Sequence, residues 1–141
     1  MATVFSMIIN GTLPGHFVWK DEHVVAIMTI QPFRDGHVLV IPRAEIDHFD
    51  DVPEQVAARL MVVSQRIAKA LKQAFPCERI GMMIAGMEVP HTHLHLFPVN
   101  ELGDLSFSHA KDADQDTLRA NAARIRAALV ELGYPEGRCE D

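Results

Sequence analysis

His91-Thr92-His93-Leu94-His95-Leu96-Phe97 places three histidines at strict two-residue spacing in a chain that holds eight. Side chains of an extended strand alternate between its faces. The spacing therefore predicts that His91, His93 and His95 point to one side, while Thr92, Leu94 and Leu96 turn toward an apolar core. Their Cα atoms would be spaced by roughly 6–7 Å, so two or three rings could meet one small substrate. A lone histidine usually reads as a structural residue; a row on one strand face does not.

The histidine strand is expected from about Pro90 to Pro98. Before it, Arg79 to Ile84 reads as a strand, and before that lies the clearest helix, where Val56, Leu60, Val63, Ile67 and Leu71 recur every three or four residues. Asp50 or Asp51 is the expected N-cap of that helix, Pro53 suits its first turn and Pro76 forbids its continuation. Further upstream, Val4 to Asn10 forms a short helix or turn, and Phe17 to Lys20 a short strand. Val24 to Ile30 reads as a buried β-branched strand, followed by a turn at Pro32 and Asp35-Gly36. His37 to Ile41 is the next strand, with Pro42 expected to end it. Downstream, Glu101 to Asp116 reads as polar loop. A last helix from about Thr117 aligns Leu118, Ala122, Ile125, Leu129 and Leu132, stopped by Gly133 and Pro135. Strands cluster on both sides of one long helix without βαβ alternation, which predicts an α+β class with a mainly antiparallel sheet. No repeat, low-complexity tract or linker divides the chain, so one domain is expected over 1–141.

The 141 residues are 48% hydrophobic and 23% charged, an ordinary globular balance. A net charge of −6 argues against a general nucleic-acid or anionic-membrane surface, which needs a basic footprint. It does not argue against a small phosphorylated ligand, since local donors hold one phosphate. The two cysteines, Cys77 and Cys139, form no CxxC pair, so a reducing cytoplasm is the expected compartment. The N-terminus does not read as a signal peptide, and no apolar run reaches membrane-spanning length.

Imidazole can be nucleophile, base, acid or metal ligand near neutral pH. Rings this close resist joint protonation, leaving a neutral ring able to attack phosphorus or acyl carbon. The row 91–97 resembles the His-x-His-x-His-x-x signature of the histidine-triad (HIT) family of nucleotide hydrolases and transferases, with Thr92 a mild exception among its hydrophobic positions. Gly86-Met-Glu-Val-Pro-His91 is similar to the family's Gly-Gln-x-Val-x-His lead-in. Gly36-His-Val-Leu-Val-Ile-Pro-Arg43 is similar to its Gly-His-x-Leu-Val-Ile-Pro-Lys strand. With the start from Val4-Phe5 to Pro14 and Asp21-Glu22, the similarity covers about residues 3–98, leaving a C-terminal extension with the helix at about 117–132.

The resemblance implies a five-stranded antiparallel sheet with a long central helix and a C-terminal helix, paired as a homodimer. It implies hydrolysis or transfer at the α-phosphorus of a purine nucleoside phosphoramidate or dinucleotide polyphosphate, through a covalent nucleotidyl-histidine. Carried over by position, His93 is the nucleophile. His91 and His95 flank the phosphate and set ring orientation, and His37 is a fourth, supporting histidine or simply a packed one. No metal and no cofactor is required, because the rings and the backbone N–H groups from Gly86 through Met87 and Glu88 to Val89 could carry the developing charge. The same comparison lines a base slot with Val4, Phe5, Ile8, Ile27 and Ile30. Thr29 stands where many members carry a ribose-binding Asp, and Met87 replaces the Gln of the lead-in. The stretch 81–86 is short and lacks an Asn that often approaches the phosphate. Ser6 takes the place of a cysteine of a structural zinc site found in some bacterial members, so no such zinc is expected. Glu88 either touches the phosphate loop or faces water, and His16, His23, His48 and His109 are assigned to the surface. Two other readings stay open: a zinc hydrolase built on the histidine row, and a nucleotide-binding module without turnover.

Overall fold

The computed structural model describes residues 2–140. Its elements are α1 (Val4–Ile9), β1 (Phe17–Lys20), β2 (Val24–Met28), β3 (Val38–Pro42), α2 (Glu54–Ala74), β4 (Arg79–Ile84), β5 (Leu94–Val99) and α3 (Gln115–Glu131). The strands form one antiparallel sheet in the order β1-β2-β3-β5-β4. This is the α+β, five-stranded antiparallel architecture with a long middle helix and a C-terminal helix.

Alternation along the strands separates two apolar layers. Val24, Ala26, Met28, Val38, Val40, Leu94 and Leu96 face α2 and α3, whose Leu60, Val63, Ile67, Leu118, Ile125 and Leu129 close the main core. Val25, Ile27, Leu39 and Ile41 look the other way and pack under Phe5 of α1, with Ile8 and Ile9 at the margin. Sequential burial on both faces explains why β2 and β3 read as unbroken apolar runs.

Several boundaries differ from the sequence reading, each for a local reason. β2 stops at Met28; Ile30 is 65% exposed and its carbonyl accepts from Ala113 N–H at 3.1 Å. β3 starts at Val38 and includes Pro42, which lies opposite Val24 at the strand's end, where its missing N–H interrupts nothing. Asp50 and Asp51 sit in a short 3₁₀ turn and do not cap α2, whose N-cap is Pro53 with its carbonyl receiving Ala57 N–H at 2.9 Å. α3 begins two residues before Thr117 because Asp114 is its cap, accepting from Thr117 N–H at 2.8 Å. Leu132 is its C-cap and half-exposed, so it leaves the buried face. The expected 101–116 loop ends at Asp114, where α3 begins, and is built around two 3₁₀ turns.

The histidine row needs the largest correction. Regular pairing begins only at Leu94, so His91 and His93 precede β5. Their segment is instead held by Thr92, whose N–H and hydroxyl both donate to the Ile46 carbonyl at 2.7 and 2.8 Å. His91 N–H closes a tight turn onto the Val89 carbonyl at 2.8 Å.

Candidate active site

Hydrogen bonds to main-chain groups determine which nitrogen of each ring carries its proton. His93 Nδ1 lies 2.7 Å from the His91 carbonyl oxygen, which can only accept. The proton is therefore on Nδ1, and neutral His93 presents an unprotonated Nε2 from the opposite edge of its ring. His95 carries its proton the other way. Phe33 N–H donates to His37 Nδ1 at 3.0 Å, so His37 holds its proton on Nε2 and gives it to His95 Nδ1 at 2.9 Å. His95 must then keep its own proton on Nε2. A lone pair on one ring and an N–H on the next stand side by side, with centroids 5.1 Å apart.

Burial keeps these rings neutral. It pushes His37 down to about 3, with the charge of His95 adding to the effect. It lowers His95 to about 4, helped by His93. For His93 burial again lowers the pKa first and the charge of His91 follows; the bond to the His91 carbonyl and the charge of Glu88 oppose them.

His91 occupies a different place from the one expected beside a phosphate. It is 0% exposed. Its Nε2 donates to the Pro42 carbonyl at 2.8 Å and its Nδ1 accepts from Thr3 Oγ1 at 2.8 Å, so neither nitrogen is left for a ligand. It stands behind His93, with Phe5 packed edge-on against both rings at 5.8 and 4.9 Å. Thr3 N–H and Ser6 Oγ both donate to Glu45 Oε1 at 2.8 Å, fastening the start of α1 to this corner. At the position matched to a zinc cysteine, Ser6 thus takes part in a hydroxyl–carboxylate network. Among the described residues no three His, Cys, Asp or Glu side chains gather as metal ligands.

A cavity of about 350 Å³ opens at His93 and His95 and is lined by Val4, Phe5, Ile8, Ile27 and Ile30, with Thr29 and Glu88 also on its wall. Thr29 Oγ1 accepts from Gln31 N–H at 3.2 Å. Gly86 and Met87 border a second cleft of about 150 Å³ that shares Glu88, His93 and His95 with the slot. Gly86 has φ +76°, a left-handed conformation that favours glycine and turns the chain toward Glu88. Another cavity, about 480 Å³ beside Ile9, Leu13, Lys20 and Arg119, touches none of the triad rings.

The sequence reading passed over several neighbours. Phe33 supplies the N–H that orients His37, and its ring packs 4.4 Å from it. Phe107 stands perpendicular to His95 at 5.2 Å. His16, taken as a surface residue, lines the slot with its Nε2 2.8 Å from Gln115 Oε1 of α3. Periodicity carried no sign of these, because they come from loops and a helix end brought in by the fold.

The HIT domain model matches residues 10–102, about two thirds of the chain. The chain belongs to the HIT family. This HIT protein is 32% identical over 120 residues to an uncharacterized HIT-like protein of Methanocaldococcus jannaschii, covering 80% of this chain and 92% of that one. It is 32% identical over 98 residues to the adenosine 5′-monophosphoramidase of Saccharomyces cerevisiae, covering 69% and 62%. Among solved structures, a zinc-bound histidine triad family protein from Mycobacterium smegmatis superposes with a TM-score of 0.80 at 33% identity, over 94% and 96% of the two chains. A hypothetical histidine triad nucleotide-binding protein from Sulfolobus tokodaii gives 0.82 at 27% identity, over 97% and 98%.

Proposed function

We propose that this HIT protein hydrolyses or transfers at the α-phosphorus of a purine nucleoside phosphoramidate or dinucleotide polyphosphate, through a nucleotidyl-His93 intermediate and without a metal. The observation that carries this reading is the opposed protonation of adjacent rings: an unprotonated Nε2 on His93 beside an N–H on His95, at the mouth of an apolar slot. The phosphoramidase activity of the yeast relative supports the same chemistry.

For a phosphoramidate, the Nε2 lone pair of His93 forms a bond to phosphorus as the P–N bond of the substrate breaks. The bonding pair leaves with the amine nitrogen, which takes up a proton from solvent. Water then adds to phosphorus, the bond to His93 breaks, its pair returns to Nε2, and the proton of the water passes to solvent. Two in-line displacements leave configuration at phosphorus retained. His95 Nε2–H donates to a phosphate oxygen whose charge grows in each step. His91 and His37 act as positioning residues, the first behind His93 and the second through His95. The purine base lies against Phe5, Ile8 and Ile27. Exposed Met61 and Val62 on α2 and Ile84 on the outer strand β4 support the implied homodimer.

The test is turnover of adenosine 5′-phosphoramidate in chelator by wild type and His93→Ala, with intact mass. AMP release by the wild type alone, with a trapped AMP adduct, is expected; equal turnover in both would refute the histidine nucleophile. Stoichiometric zinc on the row would favour the metal-dependent reading, and tight binding without adduct or turnover the binding-module reading.

A further inference from the structure

Three cavities converge on His93: the slot, the cleft under Phe107, and a groove of about 310 Å³ beside Phe49. Their charges have one sign. Glu88 stands at the junction of the slot and the cleft, and Asp47 and Asp50 line the groove. Among the described residues no Lys or Arg lines any of the three. A phosphate bound at His93 therefore already sits near a carboxylate, and each further negative charge on the departing group would meet that same carboxylate without a cation to offset it.

Glu88 is exposed, and facing water is its simplest use. Two features make it part of the site. The chain is pinned immediately after it: Val89 packs against the layer of Phe5 and Ile27, and its carbonyl receives His91 N–H at 2.8 Å. The Glu88 charge also reaches the nucleophile, where it opposes the lowering of the His93 pKa. Beside it the cleft is apolar, with Met87 91% exposed and Phe107 half-exposed, a surface suited to an alkyl or aryl chain.

We propose that Glu88 selects the leaving group by charge, favouring nucleoside phosphoramidates whose amine ends in a distal ammonium and disfavouring anionic leaving groups, polyphosphates included. This rests on the function proposed above. Glu88 exchanges no proton with the reaction; the distal ammonium stays intact as the P–N bond breaks and its pair departs with the amine nitrogen.

Three adenosine 5′-phosphoramidates on the same five-carbon chain, ending in ammonium, methyl or carboxylate, test this. In wild type, kcat/KM should fall about tenfold at each step from cation to neutral to anion, and the spread should shrink with ionic strength. In Glu88→Gln the cation-to-anion ratio should drop to a few-fold. A flat wild-type series, a ratio unmoved by Glu88→Gln, or a ratio abolished by Asp47→Asn with Asp50→Asn but not by Glu88→Gln, would overturn the assignment while leaving the nucleotidyl-histidine reading intact. No turnover and no adduct with any of the three would overturn that reading and this one with it.

Discussion

Acidification should unfold this protein through its histidines before its carboxylates respond. His37 and His95 are held neutral with pKa values near 3 and 4, against 6.5 when unfolded. The unfolded chain therefore binds protons that the native chain refuses, and stability falls as pH drops below 6.5. Between pH 7.5 and 5.5 each ring loses about 1.4 kcal/mol, a figure insensitive to the native pKa so long as it stays below about 5. The pair thus costs about 3 kcal/mol, and His93, also lowered, adds in the same direction. Asp21, Glu45, Asp104 and Asp114 are held below their ordinary values; their contribution is present above the carboxylate range and lost only in more acid solution, beneath this window. Urea titrations at fixed protein concentration across pH 7.5 to 5.5 measure the slope. His37→Gln, which removes one ring and keeps an amide donor toward His95, should remove about half of the two-ring effect. A stability change under about 1 kcal/mol over the window, or an unaltered slope in the variant, would refute the neutral, buried pair.

Because His93 attacks as a neutral ring with a lowered pKa, kcat/KM should stay flat from pH 8 to below 6.5 and fall only in more acid solution, as a pH–rate profile will show. Thr3→Val leaves buried His91 Nδ1 without its donor, so a loss of about 1–3 kcal/mol in denaturant is expected, with reduced turnover if His91 positions His93. Gly36→Ala should destabilise by about 2 kcal/mol, since φ is +93° and an added Cβ would lie 2.9 Å from the Phe75 ring. If the homodimer forms through α2 and β4, sedimentation should give twice the chain mass, and Ile84→Glu should shift it toward the monomer.

The elements that could be read in advance are those whose burial has a period. α2 and α3 show their core faces in Val63, Ile67, Leu118 and Ile125, and β2 and β3 show theirs in unbroken apolar runs. The five-stranded antiparallel sheet, expected from the clustering of strands around one helix and from the resemblance, matches the structure. What could not be read depends on contacts between distant segments. Spacing suggested three equivalent histidines, yet His91 is sealed by Thr3 and the Pro42 carbonyl, 88 and 49 residues away. The caps of α2 and α3 turned on local geometry that several residues could satisfy. Phe33, Phe107 and Gln115 enter the site on loops or a helix start, where no pattern of side chains marks them.

The proton positions on His93, His95 and His91 rest on the Phe33 amide and the carbonyls of His91 and Pro42. A peptide group is present whatever side chain it bears, so drift at position 33 or 42 does not erase these partners; only a proline at 33 would remove the amide. The tautomers are instead vulnerable to changes in loop length, since one residue gained or lost between Pro32 and His37, or between Val89 and His93, would slide a donor or acceptor out of reach. Variants of this scaffold with new chemistry are therefore expected to tolerate wide substitution around the rings and little insertion beside them.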